Sequence, residues 1–375
     1  MKRILFLIHD LGHGGAEKVL VNLVNHLDRR RFDVTVVSLF GGGVNEKNLN
    51  SSVRYKTIYP FLIPANSKWM KLFSPEYLHN RYIRERYDIE IAFLEGPSAR
   101  IISGCRTEGT KRFCWIHQTF HSVRGFSGSF RSYQEACDCY NRFHSLVFVS
   151  EGSRQSFLKF CPSNPQKCTV LYNVNDTDRI FSLAEENIEH MIPAPDCINW
   201  CGIGKLEEVK RFDRLIRIQK KLIENRLKTH LYILGEGSLR KKLEDLAVSL
   251  GISDTVTFLG YQENPYKYIA RFDLMACSSY SEGFSTAVTE ALILGIPVCT
   301  VEVSGMRELL GDNSEYGIIT ANNTKDLYRG IRSLVSSPEL LQHYRKQAQE
   351  RGKKFNIDVT VKAVEDKLLE AVNSQ

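Results

Sequence analysis

Two glutamates eight residues apart, Glu282 and Glu290, stand in a stretch made otherwise of glycine, hydroxyl and apolar residues, "YSEGFSTAVTEALILGIPV" (Tyr280–Val298). Glu282 precedes a glycine, and Glu290 interrupts a helical pattern whose apolar face belongs against a core. A carboxylate tolerates partial burial where hydrogen-bond donors saturate it. Leu274–Ser278 reads as a strand, "SEGF" as a turn, and a helix starts near Ser285 or Thr286, either of which can cap it. First-turn amides lack internal partners and carry the positive end of the helix dipole, so a phosphate binds well there. Gly283 lets the backbone approach closely. The two acids then read as receptors for sugar hydroxyls on either side of a diphosphate, with Glu290 placed to accept from a ribose. The competing reading is a solvent-facing Glu282 and a Glu290 ion-paired with a lysine.

Other chemistry-bearing residues also follow strands. Lys205 comes after Gly202-Ile203-Gly204, and Lys210 after a short loop; two cations there can neutralise a diphosphate leaving group. Gly14 and Gly15 lie before the helix from Ala16, where the backbone can pass a phosphate or an acceptor, and Glu17 reads as a first-turn acid of structural value. His117 follows strand Arg112–Ile116. His9, His13 and Glu95 are weaker candidates. The turn Gly235-Glu236-Gly237 and the loop Leu259–Tyr261 would flank a base and phosphates mainly through their amides.

The elements that must position these residues alternate. Arg3–Ile8, Val34–Phe40, Ile89–Phe93, Arg112–Ile116 and Ser145–Val149 are short apolar strands, as in a parallel sheet covered on both faces. A second series holds strands Ile198–Ile203, His230–Leu234, Val256–Leu259, Leu274–Ser278 and Ile296–Val301, with helices between. The polar, proline-containing run "SLAEENIEHMIPAPD" separates the series. The expectation is an α/β chain of two doubly wound, Rossmann-like domains facing a cleft, with motifs at the carboxyl ends of strands. The boundaries are 1–180 for the first domain, 181–195 for a linker and 196–356 for the second domain. The C-terminal helix, 357–375, is expected to pack back on the first domain.

With 375 residues and 43% hydrophobic content, the chain is an ordinary globular protein of two domains. No apolar stretch is long enough to span a bilayer, and Ile4–Ile8 is too short for a signal-peptide core, so a cytoplasmic protein is expected. The ten cysteines form no C-x-x-C pair and read as reduced structural thiols. A formal charge of +7 permits anionic partners but comes with no nucleic-acid motif.

"SEGFSTAVTEALILGIPV" resembles the signature of the retaining glycosyltransferases of the GT-B fold, family GT4. "WCGIGKLEEVKRFDRLI" (Trp200–Ile216), "LYILGEGSLRKKLEDLAVSLGISDTVTFLGY" (Leu231–Tyr261), "FVSEGSRQSF", "VLYNVND" and "LGHGGAEKVLVNLVNHL" (Leu11–Leu27) resemble further segments of that family, in order along the chain. "GGAE" and "WIHQ" (Trp115–Gln118) resemble the transferases of bacterial capsule, exopolysaccharide and O-antigen synthesis.

The resemblance implies transfer of a sugar from a nucleotide diphosphate-sugar, UDP being commonest, to a glycan or polyprenyl-diphosphate-linked acceptor, with retention at the anomeric carbon. It assigns Glu282, Lys210, Lys205 and His117 to catalysis. Glu290, Gly283, Phe284, Ser285, Thr286, Gly204, Gly235, Tyr261 and Gly15 go to the donor, and Gly14, His13 and Glu95 to the acceptor. No cofactor and no metal are expected. The family usually has Arg where Lys205 stands, glycine where Arg211 stands and glycine where Val174 follows Asn173.

The segment Asn66–Asp88 mixes Trp69, Met70, Leu72 and Phe73 with Lys68, Lys71, Arg81, Arg84 and Arg86, which suits either peripheral docking on anionic lipid at the inner face of the cell membrane or a helix packed on the first domain. Two other functions fit the same architecture: a sugar-nucleotide epimerase, and an inactive nucleotide-sugar-binding subunit that supports a partner. A nicotinamide dehydrogenase fits poorly, because no G-x-G-x-x-G follows the first strand.

Overall fold

The computed structural model describes residues 1–63, 66–162, 165–188, 193–194 and 196–373. The chain divides into two compact units, Met1–Asn175 with Asp358–Gln375, and Asp176–Ile357. The first contains strands β1 (Lys2–Ile8), β2 (Phe32–Phe40), β3 (Arg54–Tyr59), β4 (Ile89–Ala92), β5 (Lys111–Ile116), β6 (Ser145–Phe148) and β7 (Cys168–Val170). Its helices are α1 (Gly15–His26), α2 (Asn66–Met70), α3 (Pro75–Tyr82), α4 (Pro97–Ile102), α5 (Val123–Ser127), α6 (Tyr133–Asn141) and α7 (Glu151–Leu158). The strands pair in parallel in the order β3-β2-β1-β4-β5-β6-β7.

The second unit begins with α8 (Thr177–Ala184) and contains β8 (Ile198–Ile203), α9 (Phe212–Glu224), β9 (Thr229–Leu234), α10 (Arg240–Ser249), β10 (Val256–Gly260) and α11 (Tyr266–Ile269). Then come β11 (Leu274–Cys277), α12 (Thr286–Ile293), β12 (Val298–Val301), α13 (Met306–Leu310), β13 (Ile318–Thr320), α14 (Thr324–Val335) and α15 (Pro338–Gly352). Its parallel sheet runs β10-β9-β8-β11-β12-β13. The last helix, α16 (Ile357–Asn373), sends Glu365 to the backbone N–H of Asp28 at 2.6 Å, within the first unit. Both units are therefore doubly wound α/β sheets.

Three strands escape the apolar-run reading: β3, β7 and β13. Each lies at an edge and has no fully buried residue. The expected linker also begins too early, because its first four residues are the last four of α8. Asp176 caps that helix, and Asn264 and Arg271 donate to its carbonyls at Leu183 and Ala184. Residues 189–192 and 195 of the expected linker lie outside the described residues.

Inner strands of both sheets are buried on both faces, which is why they read as continuous apolar runs. Trp200 is fully buried, and its indole donates to Gln219 at 2.8 Å, which in turn donates to the carbonyl of Thr229. The Trp200 indole and the Gln219 amide are thereby paired. No helix among the described residues is long and apolar enough to cross a membrane.

Candidate functional site

In a doubly wound sheet a ligand crevice opens where the strand order reverses, at the carboxyl ends. In the second unit that point lies between β8 and β11. Beside it, β8 leaves the sheet at Gly204 (φ +148°) and β9 at Gly235 (φ +139°). A Cβ on Gly235 would stand 1.9 Å from the Gly204 carbonyl oxygen, an impossible contact with backbone. The two glycines expected to serve the donor are thus required first because two strand-end turns cross. Gly235→Ala is expected to cost at least about 3 kcal/mol of stability and to lose nucleotide binding, read by thermal unfolding with and without ligand.

Beyond Gly204 the chain makes a short 3-10 turn, Glu208–Lys210, and enters α9. The loop after β11 is stitched to this turn. Ser278 Oγ donates to the Lys210 carbonyl at 2.9 Å, and the Tyr280 N–H donates to the Val209 carbonyl at 2.7 Å. This stitching brings Lys210 and Glu282 together: Nζ donates to Oε1 at 2.7 Å. Ser279 Oγ donates to the same oxygen at 2.6 Å. Burial alone would lower the Lys210 pKa, but the charge and hydrogen bond of Glu282, with Cys277 and Glu207, together outweigh it and the net shift is upward, so the ammonium stays charged. Lys205 behaves differently. It is exposed and pairs at 2.6 Å with Glu207, which is also exposed. The structure gathers Lys210 and Glu282, and leaves Lys205 at the surface.

Gly283 and Phe284 lead into α12, with Ser285 as its cap and Thr286 as its first residue. The cap uses one orphan amide, Val288 N–H, at 3.4 Å. No acid occupies the first turn, so the dipole end is not neutralised there. Glycine is also needed at Gly305 (φ +79°), in the loop after β12, where a Cβ would fall 2.9 Å from the Gly283 carbonyl oxygen. Glu290 is buried on α12 and accepts from the Tyr266 hydroxyl at 3.0 Å. Tyr261 is exposed. Ser279, Tyr266 and Gly305 were not read from the sequence. Only Ser279, three residues before Glu282, carried a signal: a hydroxyl at a strand end next to a buried acid.

In the first unit the strand order reverses between β1 and β4. Gly14 caps α1 with extended backbone and Gly15 is its first residue; both are exposed, as is His13. The Glu17 carboxylate folds back over Gly14. At the next strand ends, Glu95 accepts from the backbone N–H of His117 at 2.9 Å, and the His117 ring lies 4.9 Å from that of Phe93. Read separately as acceptor-side and catalytic residues, Glu95 and His117 are neighbours. Burial pushes the His117 pKa down to about 3, so the imidazole is neutral, and its Nε2 is buried with no hydrogen-bond partner among the described residues. Burial raises the Glu95 pKa, although amide hydrogen bonds from His117 and Glu95 itself oppose the shift.

Residues 13–179 match the family described as Glycosyltransferase Family 4, and residues 200–351 match Glycosyl transferases group 1. The chain belongs to the group 1, family 4 glycosyltransferases. A relative from Campylobacter jejuni is 28% identical over 95% of this chain and 96% of its own. It is N-acetylgalactosamine-N,N'-diacetylbacillosaminyl-diphospho-undecaprenol 4-alpha-N-acetylgalactosaminyltransferase. The lipopolysaccharide core biosynthesis glycosyltransferase LpsE of Rhizobium meliloti is 23% identical, covering 90% of this chain and 89% of its own. Among solved structures, Anabaena Alr3699/HepE in complex with UDP and glucose has a TM-score of 0.79 at 18% identity, covering 98% of this chain and 99% of that one. The fold of this glycosyltransferase is accordingly the two-domain GT-B fold.

One departure from the family pattern has a structural reading. Arg211 stands where glycine is usual, and its backbone is left-handed (φ 52°, ψ 41°). Glycine takes that conformation freely, whereas an L side chain pays roughly 1–2 kcal/mol. The Arg211 guanidinium forks onto Asp213 at 2.9 and 3.1 Å, which offsets part of that strain.

Among the described residues, one group has metal-ligand chemistry: His79, Glu90 and Cys105, with ligand atoms within 4.8 Å of one another. It sits inside the first unit, with His79 Nε2 at 2.7 Å from Glu90 Oε2. Burial would lower the His79 pKa, but Cys105 and Glu90 push it up to about 10. The group reads as a core ion pair in this glycosyltransferase.

Proposed function

We propose that this glycosyltransferase moves a hexosyl or N-acetylhexosaminyl group from a UDP-sugar to a hydroxyl of a glycan or polyprenyl-diphosphate-linked oligosaccharide, with retention, in surface polysaccharide synthesis. The observation that carries the reading is the Lys210–Glu282 contact at the switch point, beside the start of α12. An ammonium and helix amides there stabilise the charge that develops as the sugar–phosphate bond breaks. Glu282, with Oε1 held by Lys210 and Ser279, serves sugar hydroxyls and the cationic character of the ring. Glu290, oriented by Tyr266, serves the ribose. His117 and Glu95 serve the sugar and acceptor side, and the leaving phosphate assists deprotonation of the acceptor. No metal takes part. The Campylobacter relative, named for a diphospho-undecaprenol acceptor, and the UDP-bound Anabaena structure support the choice of substrates.

A thermal-shift panel of nucleoside diphosphates tests the donor. UDP at a hundredfold excess over its Kd is expected to stabilise the protein by about 2.7 kcal/mol, which is several degrees in melting temperature. Equal shifts with ADP, GDP and CDP would remove the uridine assignment. The anomeric configuration of the product, read by proton coupling constants, tests retention.

A further inference from the structure

Sugar transfer leaves one feature of the second unit unexplained: a guanidinium buried without an acid. Arg214, the third residue of α9, is 6% exposed. Its sequence neighbour Asp213 is forked by Arg211, and Arg214 makes no ion pair among the described residues. Burial and the charge of Arg211 hold its pKa below the usual guanidinium value, against the opposing charge of Asp213, yet an arginine remains a cation at any working pH. Its Nε is buried with no hydrogen-bond partner among the described residues. A buried cation without a carboxylate is costly, so packing alone does not explain its place.

The cation is spent on neutral oxygens of loops. Nη1 donates to the Ser278 carbonyl at 3.3 Å and to Asn322 Oδ1 at 2.6 Å. Asn322, half-buried in the turn between β13 and α14, donates through Nδ2 to the Tyr280 carbonyl at 3.5 Å, the longest of these bonds. Both captured carbonyls belong to the loop after β11, one on each side of Ser279. The same stretch is tied to the 209–211 turn, through Ser278 Oγ to the Lys210 and Arg211 carbonyls and through the Tyr280 N–H to the Val209 carbonyl. The Ser278–Tyr280 backbone is thus gripped by two separate sets of hydrogen bonds.

That grip does what packing does elsewhere. Tyr280 is 63% exposed, and Ser281, Glu282 and Gly283 are half-buried, so little apolar burial fixes this part of the loop. Ser279, between the gripped carbonyls, donates to Glu282 Oε1 at 2.6 Å, the oxygen that Lys210 also holds at 2.7 Å. A displaced backbone would carry Ser279 away from Glu282. An error of about 1 Å in a reacting geometry costs on the order of a hundredfold in rate.

We infer that Arg214 and Asn322 are positioning residues for sugar transfer: they brace the Ser278–Tyr280 backbone, which sets Ser279 and Glu282 against Lys210. Both act through Glu282 and not on the substrate, as a supporting layer that locks the geometry of a site. Their kinetic effect rests on the sugar-transfer reading. The brace itself is measured without a nucleotide sugar, so either can fail alone.

The test is amide hydrogen exchange of the full chain read by mass spectrometry, with donor turnover measured alongside. Arg214→Met keeps an unbranched side chain and removes the buried charge; Asn322→Ala removes only the second link and decides the matter if Arg214→Met does not fold. Amides at 278–284 are expected to exchange at least about tenfold faster in both variants, with exchange elsewhere in the second unit unchanged and a melting temperature no lower than that of wild type. Turnover is release of UDP from UDP-glucose or UDP-N-acetylglucosamine, whichever the wild type uses faster. Its kcat is expected to fall by about tenfold to a hundredfold with KM nearly unchanged, and the loss is expected to vanish in a Glu282→Gln background. Wild-type exchange at 278–284 in both variants would overturn the inference. So would an unchanged kcat in a variant whose loop exchanges faster, or a loss of kcat that persists in full on top of Glu282→Gln. Wild-type turnover by Glu282→Gln alone would overturn the sugar-transfer reading instead, and the exchange result would then decide the brace.

Discussion

Lys210→Met is expected to lower kcat by on the order of 10²–10³ while the protein remains folded. The ammonium sits at the switch point of the second unit, 2.7 Å from Glu282, and its raised pKa keeps it charged at any working pH. Removing it takes away a cation from the place where leaving-group charge would develop. It also leaves a mostly buried carboxylate without its counter-charge, so stability falls by about 1–3 kcal/mol. The double variant Lys210→Met with Glu282→Gln separates these effects. Its neutral amide no longer needs a cation, so most of the lost stability returns, while activity stays at the level of the worse single variant. The sign of the pH dependence follows from the direction of the shift. A lysine with a pKa raised in the folded state contributes stability that is constant below its unfolded value of 10.5 and is lost only as pH rises through the folded value. The contribution of the lysine's shift is therefore flat between about pH 6 and 9. Near-wild-type kcat in purified Lys210→Met would dismiss the leaving-group role.

Glu282 and Lys210 were each legible in the sequence, since each follows a strand at a fixed place in a motif. Their direct contact was not. The sequence reading sends the lysine to a diphosphate and the glutamate to a sugar, and nothing in either motif says that the loop after β11 is stitched to the 209–211 turn through Ser278 and Tyr280. Lys205 shows the reverse. Its spacing matches a cation site, but its side chain pairs at the surface with Glu207, two residues away. The inner strands were legible because burial on both faces forces an apolar run. The edge strands were not, because an edge such as β3, "RYKTIY", is partly solvated and carries no such pattern. The end of α8 was read as linker because its anchors, Asn264 and Arg271, lie some eighty residues further along the chain. The glycine at 235 could be suspected of a turn from sequence, but its close approach to Gly204 is a property of two loops together.

His117→Asn is expected to reduce kcat/KM by roughly tenfold to a hundredfold, the range set by leaving a buried polar partner unmatched. Nε2 is buried and has no partner among the described residues, so a hydroxyl of a bound sugar that reached it would complete its hydrogen bonding. Burial pushes the His117 pKa down to about 3, so the imidazole is neutral in the working range and its expected role is that of a neutral hydrogen-bonding group. The pH profile of kcat/KM should therefore keep its shape in the variant while its height falls. Stability carries an independent signature. A histidine whose folded pKa is depressed is buried neutral. As pH falls below the unfolded value of 6.5 the unfolded chain takes up the proton first, and stability drops until the folded value is reached. Wild type should therefore lose about 1–2 kcal/mol more than His117→Asn between pH 7 and 5, measured by denaturant unfolding. Glu95, whose pKa is raised, works in the opposite direction on acidification, but it is present in both proteins and cancels in the comparison. Parallel stability curves for the two proteins would mean that the imidazole is solvated, and the buried, neutral hydrogen-bonding group would have to be abandoned.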